Sequence, residues 1–168
     1  MTKAAQYAEV RAHISSLIAG ETDEIAILAT VVAELYHAFD HFDWVGFYRV
    51  TAPGLLKVGP YQGRHGCLTI PFDRGVCGKC ARERVAQVVA DVRAIPYHIA
   101  CSNSTRSEIV VPVLDARGGL RAVLDVDSDE PAAFDAVDRE HLEALCRVIG
   151  QVYPPPDTAA PPQPGNAV

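Results

Sequence analysis

The hydrophobic repeat of this chain changes period between Phe39 and Trp44, and that change limits the architectures open to it. Before it, Tyr7, Val10, Ile14, Leu17 and Ile18 recur at helical spacing, with Gly20 as a stop. A second helical stripe, Ile25, Leu28, Val32, Leu35 and Phe39, follows the cap candidate Thr22 and ends at Asp40. Beyond Phe39 the pattern is that of strands: Trp44 to Val50, a turn at Ala52-Pro53-Gly54, Leu55 to Val58, Cys67 to Ile70 and Val85 to Val89. Gly75 to Arg84 reads as a short intervening helix. Ser107 to Leu114 and Leu120 to Asp127 flank Asp115-Ala116-Arg117-Gly118-Gly119 as a hairpin, and a closing helix starts at the cap candidate Asp135. Its apolar stripe is Val137, Leu142, Leu145, Val148 and Ile149. Two helices, five or six largely antiparallel strands and a closing helix predict an α+β domain, the last helix lying beside the first two on one sheet face.

A length of 168 residues, 49% of them hydrophobic, suits one domain with a real core. That domain is expected over residues 1–153. Residues 154–168 hold six prolines in fifteen positions and are expected to form a disordered tail. The apolar pattern is also lost from Asp91 to Ser107, which predicts a long loop, and loops of that length inside a domain are usually functional. The net charge of −6, with no basic window, argues against capture of nucleic acid or of an anionic membrane. The N-terminus lacks the apolar stretch of a secretion signal, and the run Ile25 to Ala33 is far too short to span a bilayer. A cytoplasmic protein is expected, in a compartment where thiols stay reduced.

Five cysteines, an odd number, are then poor candidates for structural staples. Four of them, Cys67, Cys77, Cys80 and Cys101, fall in one turn-rich stretch, with Asp125 and Asp127 soon after. Cys146 shares the apolar stripe of the last helix and reads as a packed core thiol. Three chemistries fit the cluster. Cys77-x-x-Cys80 with His98-x-x-Cys101 has the spacing of paired zinc knuckles, although Cys67 is then left out. Cys77-Gly-Lys-Cys80 at a helix N-terminus resembles a thioredoxin-like dithiol whose pKa the macrodipole lowers, but the βαβ pattern expected around such a pair is missing. The third is a thiol reductase whose cysteines come from separate loops.

The third has a motif series behind it. Asp43-Trp44-Val45-Gly46-Phe47-Tyr48 leads to Gly59-Pro60-Tyr61-Gln62-Gly63, then to Cys67 with Ile70-Pro71-Phe72 and to Gly75-Val76-Cys77-Gly78. His98-Ile99-Ala100-Cys101, Ser107-Glu108-Ile109-Val110-Val111-Pro112 and Val123-Leu124-Asp125-Val126-Asp127-Ser128 complete it. From about Gly20 to Gly150 the series resembles the free methionine-(R)-sulfoxide reductases, which are GAF-domain proteins. The resemblance implies a six-stranded antiparallel GAF sheet with helices packed on one face, commonly in a homodimer. It implies reduction of the R-sulfoxide of free methionine with electrons from thioredoxin and no bound cofactor or metal. It places the three active-site cysteines at Cys67, Cys77 and Cys101, the carboxyl groups at Glu108, Asp125 and Asp127, and the aromatic pocket residues at Trp44 and Tyr48. Cys80 departs from the pattern, and so does the proline tail.

The chemistry needs such groups. A sulfoxide sulfur is weakly electrophilic and its oxygen leaves poorly until protonated, so a thiolate and a neutral acid are both required. Cys101 is the expected nucleophile, Cys67 the expected resolving thiol, and Cys77 a relay or substitute resolver. Crowding three carboxyl groups should raise at least one pKa and leave an acid near neutrality, Glu108 first and Asp127 next. The remaining charge suits the α-ammonium of a free amino acid, with Trp44 and Tyr48 walling the S-methyl group. Taken singly, each has an ordinary explanation: Glu108 as a surface carboxylate, Trp44 and Tyr48 as core, Asp125 and Asp127 as a solvated strand face. The competing function is a non-catalytic GAF module that binds a small molecule or senses redox state.

Overall fold

The computed structural model describes residues 1–96 and 104–153. The expected loop residues His98 and Cys101 and the proline-rich tail lie outside the described residues.

Two helices open the chain, α1 (Lys3–Leu17) and α2 (Glu24–Ala38). The caps are Thr2, which accepts from the Ala5 amide, and Asp23, which accepts from the Ala26 amide. The second cap lies one residue beyond the expected Thr22. The buried stripe of α2 is accordingly Ile27, Leu28, Val31, Val32 and Leu35, and Ile25 faces outward at 45% exposure. Strands β1 (Trp44–Ala52), β2 (Leu55–Gln62) and β3 (Thr69–Pro71) follow, then α3 (Gly75–Glu83) and β4 (Gln87–Val89). A short 3₁₀ turn at Val92–Ala94 interrupts the expected loop before β5 (Ser107–Leu114), β6 (Leu120–Ser128) and α4 (Ala136–Gly150). The cap of α4 is Asp135, reciprocated by Asp138 in a capping box.

The six strands form one sheet in the order β3-β2-β1-β6-β5-β4, every neighbouring pair antiparallel. Alternation along the strands then decides which side chains go where. Val45, Phe47, Ile109, Val111, Leu124 and Val126 point to one face, where they meet Tyr7 and Ile14 of α1, the α2 stripe, and Leu142, Leu145, Cys146 and Ile149 of α4. Side chains such as Phe47, Ile109 and Leu124 are completely buried there, each stabilising the fold by about 2 kcal/mol. Helices α1 and α4 are also joined by polar contacts to Asp138, which is fully buried. The Tyr7 hydroxyl donates to it at 2.8 Å and Lys3 Nζ at 2.7 Å. The expected placement of the last helix beside the first two is thus found, as is the core position of Cys146, 1% exposed.

The opposite sheet face is covered differently. Trp44, Tyr48, Val110 and Val123 point toward α3 and pack with Val76, Cys77, Cys80 and Ala81. Among the described α-helices, α3 is the one on the far side from α1, α2 and α4, and the candidate site residues gather beneath it. No described helix is long and apolar enough to cross a membrane.

Candidate active site

Register builds the site. Across the ladders of β1, β6 and β5, Trp44 opposes Asp127 and Asp127 opposes Glu108, while one step along Gly46 opposes Asp125 and Asp125 opposes Val110. Directly opposed residues of antiparallel strands share a face. Trp44, Asp127 and Glu108 thus form a row across three strands, with Asp125 in the adjoining row. Val126, between the two acids, goes to the helical core.

These rows floor a cavity of about 410 Å³. Trp44, Tyr48, Cys77, Glu108, Asp125 and Asp127 all line it. Its rim is the β2–β3 connection from Gln62 to Gly66, and Ser104 and Thr105 border it beside the undescribed segment. Gly46 lets the aromatic wall form. A Cβ there would come within 2.3 Å of the Trp44 ring, so only glycine leaves the indole room to lie along the strand. The ring stacks on Tyr48 at 5.7 Å between centroids and on Tyr61 at 5.5 Å, and its Nε1 donates to the Arg64 carbonyl at 2.9 Å. Trp44 and Tyr48 are 7% and 1% exposed, so they are core and cavity wall at once.

Burial governs the electrostatics. Glu108 and Asp125 are each 5% exposed, Cys77 is 4% exposed, and Asp127 is half-buried. Removal from water pushes the Glu108 carboxyl well above the ordinary range, reinforced by repulsion from Asp125 and Asp127. The same cause, with repulsion from Asp125, Asp129 and Asp43, raises Asp127. Burial also raises Asp125, but hydrogen bonds with Cys77 and Glu108 hold it back, at about 7. Of the three carboxyls Asp125 is the one whose rise is restrained by hydrogen bonds and so the first to ionise, while burial and mutual repulsion favour the protonated forms of Glu108 and Asp127. The Cys77 thiol is pushed well up by burial and then by Asp125 and Glu108. The lowering expected from the start of a helix is outweighed, and Cys77 is a protonated thiol at neutral pH.

The other sulfurs sort by position. Cys80 is fully buried, its Sγ donating to the Val110 carbonyl at 3.6 Å, and burial raises its pKa too. Cys67 is half-buried in the β2–β3 connection, next to the cavity-lining Gly66, and is disulfide-bonded. Cys77, Cys80 and Cys146 are free thiols. Half of the paired zinc-knuckle spacing, His98 and Cys101, lies outside the described residues, whereas its other half is divided: Cys77 lines the cavity and Cys80 turns to β5. Among the described residues the wholly antiparallel sheet leaves no βαβ unit around the Cys77–Cys80 pair.

Arg64 and His65, both exposed, also border the cavity and were not singled out from the sequence. Their signal was present: they are a basic pair between Gln62-Gly63 and Cys67, within an otherwise acidic site. Tyr36 and Thr105 border it as well, at positions that no local pattern marks.

Comparison with known proteins agrees with this architecture. A family model described as GAF domain matches residues 21–152. The chain is 36% identical over 152 residues to the free methionine-R-sulfoxide reductase of Escherichia coli, covering 90% of this chain and 91% of that protein. It is 36% identical over 138 residues to the protein of the same name in Saccharomyces cerevisiae, covering 79% and 77%. The crystal structure of free methionine-R-sulfoxide reductase from Neisseria meningitidis, in complex with its substrate, superposes with a TM-score of 0.86 at 46% identity, covering 90% of each chain. With these matches and the six-stranded antiparallel sheet, the chain belongs to the free methionine-R-sulfoxide reductases of the GAF-domain family.

Proposed function

We propose that this protein reduces the R-sulfoxide of free L-methionine to methionine, within the cavity under α3. One observation carries the reading: Glu108, Asp125 and Asp127 face a single small cavity walled by Trp44 and Tyr48. A free amino acid presents an ammonium group, a carboxylate and, here, an S-methyl sulfoxide. Ionised Asp125 matches the ammonium, with Asp127 beside it; a residue inside a polypeptide has no such charge and is disfavoured. Trp44 and Tyr48 supply the apolar wall for the S-methyl group. Arg64, on the rim, is the group suited to the carboxylate.

Protonated Glu108 donates to the sulfoxide oxygen while the Cys101 thiolate attacks sulfur. Attack gives a protonated adduct with a new S–S bond. Its hydroxyl passes to the Cys101 sulfur as the substrate S–O bond and that S–S bond break, so methionine leaves with the electron pair and Cys101 is left as a sulfenic acid. The Cys67 thiol then condenses with it, releasing water and forming a disulfide, which the dithiol of thioredoxin reduces by exchange. The disulfide-bonded state of Cys67 beside three free thiols supports its part in that cycle. Cys77, a buried thiol on the cavity floor, is a relay or alternative resolver. The homodimer common in the family is the expected assembly, and no cofactor is invoked.

The experiment is a coupled assay of the reduced protein with thioredoxin, its reductase and NADPH. NADPH oxidation with the free R-sulfoxide, and none with the S form, supports the reading. A flat trace with ligand binding intact favours a non-catalytic binding module.

A further inference from the structure

One potential ligand atom each from Cys77, Glu108 and Asp125 lie within 4.8 Å of one another, on α3, β5 and β6 respectively. We infer that this trio is a binding site for a thiophilic divalent cation of the zinc class, which occupies the cavity floor and excludes the amino acid from it.

Three observations favour a cation over a chance cluster. The residues are 4%, 5% and 5% exposed, so the donors are already withdrawn from competing water. Cys77 and Glu108 hydrogen-bond with the Asp125 carboxyl group, yet its Oδ1 atom is buried with no hydrogen-bond partner among the described residues, in a side chain that lines the cavity. A buried oxygen lacking a donor is costly, and a metal ion supplies the missing positive partner. The donor set is also selective. One thiolate and two carboxylates suit zinc, whereas magnesium and calcium prefer six or more oxygens and keep their water.

The geometry needs only modest adjustment. Zinc–sulfur and zinc–oxygen bonds of about 2.3 and 2.0 Å place tetrahedral ligand atoms roughly 3.5 Å apart. Glu108 has the longest of the three side chains and the most torsional freedom to close in. The fourth coordination position opens on the cavity, where water or buffer completes the shell. Binding releases the protons of Cys77 and of Glu108 to solvent, leaving one thiolate and two carboxylates on the cation. Cys80 takes no part, since its sulfur engages the Val110 carbonyl. The site is therefore distinct from a Cys-x-x-Cys knuckle. That the cation displaces the amino acid rests on the proposed function; that it binds does not.

The test begins with oxidised protein, in which disulfide-bonded Cys67 offers no thiolate. Titration with cobalt(II) should give one equivalent of a four-coordinate species with a sulfur-to-cobalt charge-transfer band, displaced by zinc and untouched by excess magnesium. Cys77→Ser should abolish the band and Cys80→Ser should retain it. Asp125→Asn, which keeps the thiol and the side-chain shape, should weaken cobalt binding at least tenfold. Absence of the band in the wild-type protein, its survival in Cys77→Ser, or its displacement by magnesium would overturn the site. In the coupled assay, zinc should raise the apparent KM for the sulfoxide, with reversal by chelator. If metal-free protein shows no turnover yet cobalt binds through Cys77, the proposed reaction falls and the cation site stands.

Discussion

Glu108 and Asp127 face each other directly across the β5–β6 ladder, two acidic side chains paired on a largely buried sheet face. Like charges so placed are destabilising, and neither can ionise without raising the cost for the other. Burial and this repulsion both raise the two pKa values, which favours a retained proton, and a retained proton is what a sulfoxide oxygen needs in order to leave.

Glu108→Gln preserves the shape and hydrogen-bonding capacity of the side chain and removes its acidity. Turnover of the R-sulfoxide should fall by about 10²–10⁴-fold, the usual range for loss of a general acid, with folding retained. Steady-state kinetics with circular dichroism as the folding control checks this. Near-wild-type turnover would transfer the donor role to Asp127.

The cysteines should divide sharply on substitution. Cys101→Ser should abolish methionine formation even in a single turnover. Cys67→Ser should allow one turnover and lose the Cys67 disulfide; the sulfenic acid, trapped with dimedone and read by intact mass, should persist fully in Cys67→Ser/Cys77→Ser. Cys80→Ser should leave most activity, because its buried sulfur is turned to the Val110 carbonyl. Full activity of Cys101→Ser would make a different sulfur the nucleophile.

Arg64→Ala should raise KM for the free sulfoxide and spare kcat. A hydrogen bond to a charged group contributes about 1.5–3 kcal/mol when shielded. On an exposed rim that shrinks to about 1 kcal/mol, roughly a fivefold effect. An unchanged KM would leave the carboxylate to backbone groups or other donors.

Stability should fall as pH rises through neutrality. Glu108, Asp125 and Asp127 all have raised pKa values in the folded protein, Asp125 at about 7, against about 4 for an ordinary carboxyl group. Between those limits the folded state binds more protons than the unfolded, so the three groups contribute stability at low pH that is lost as pH climbs. The carboxyls with lowered pKa, Glu21, Asp91, Asp115 and Asp135, act oppositely, but their contribution is lost only on going below the ordinary carboxyl range. From pH 5 to 8 the urea midpoint should therefore drop, and Asp127→Asn should flatten the slope. A flat wild-type profile would mean that the three acids are not shifted as described.

Much of this arrangement was legible in residue order. Period-two alternation around Val126 put Asp125 and Asp127 on the face away from the core, and the Trp44–Tyr48 spacing put both rings on one side. What the pattern hid depends on pairing. β2 extends to Gln62 although Gly59 and Pro60 look like a break; both sit opposite Phe47 at a register shift, where a bulge tolerates a proline. The convergence of Glu108 with Asp127 follows from the β5–β6 register, which strand patterns alone do not give. Arg64 and His65 reach the site through a loop whose path depends on the Trp44 contact with the Arg64 carbonyl. The fate of Cys77 was hidden for an energetic reason: its helix position suggests a lowered pKa, but burial against the sheet, and then acids from distant strands, outweigh the dipole.

The most direct test is a single turnover without external reductant, using fully reduced protein, free methionine (R)-sulfoxide and quantification of methionine beside mapped disulfides. The account predicts close to one methionine per chain with the R form, none with the S form, and a new disulfide that contains Cys67. Absence of methionine, or equal yields from both stereoisomers, would contradict it.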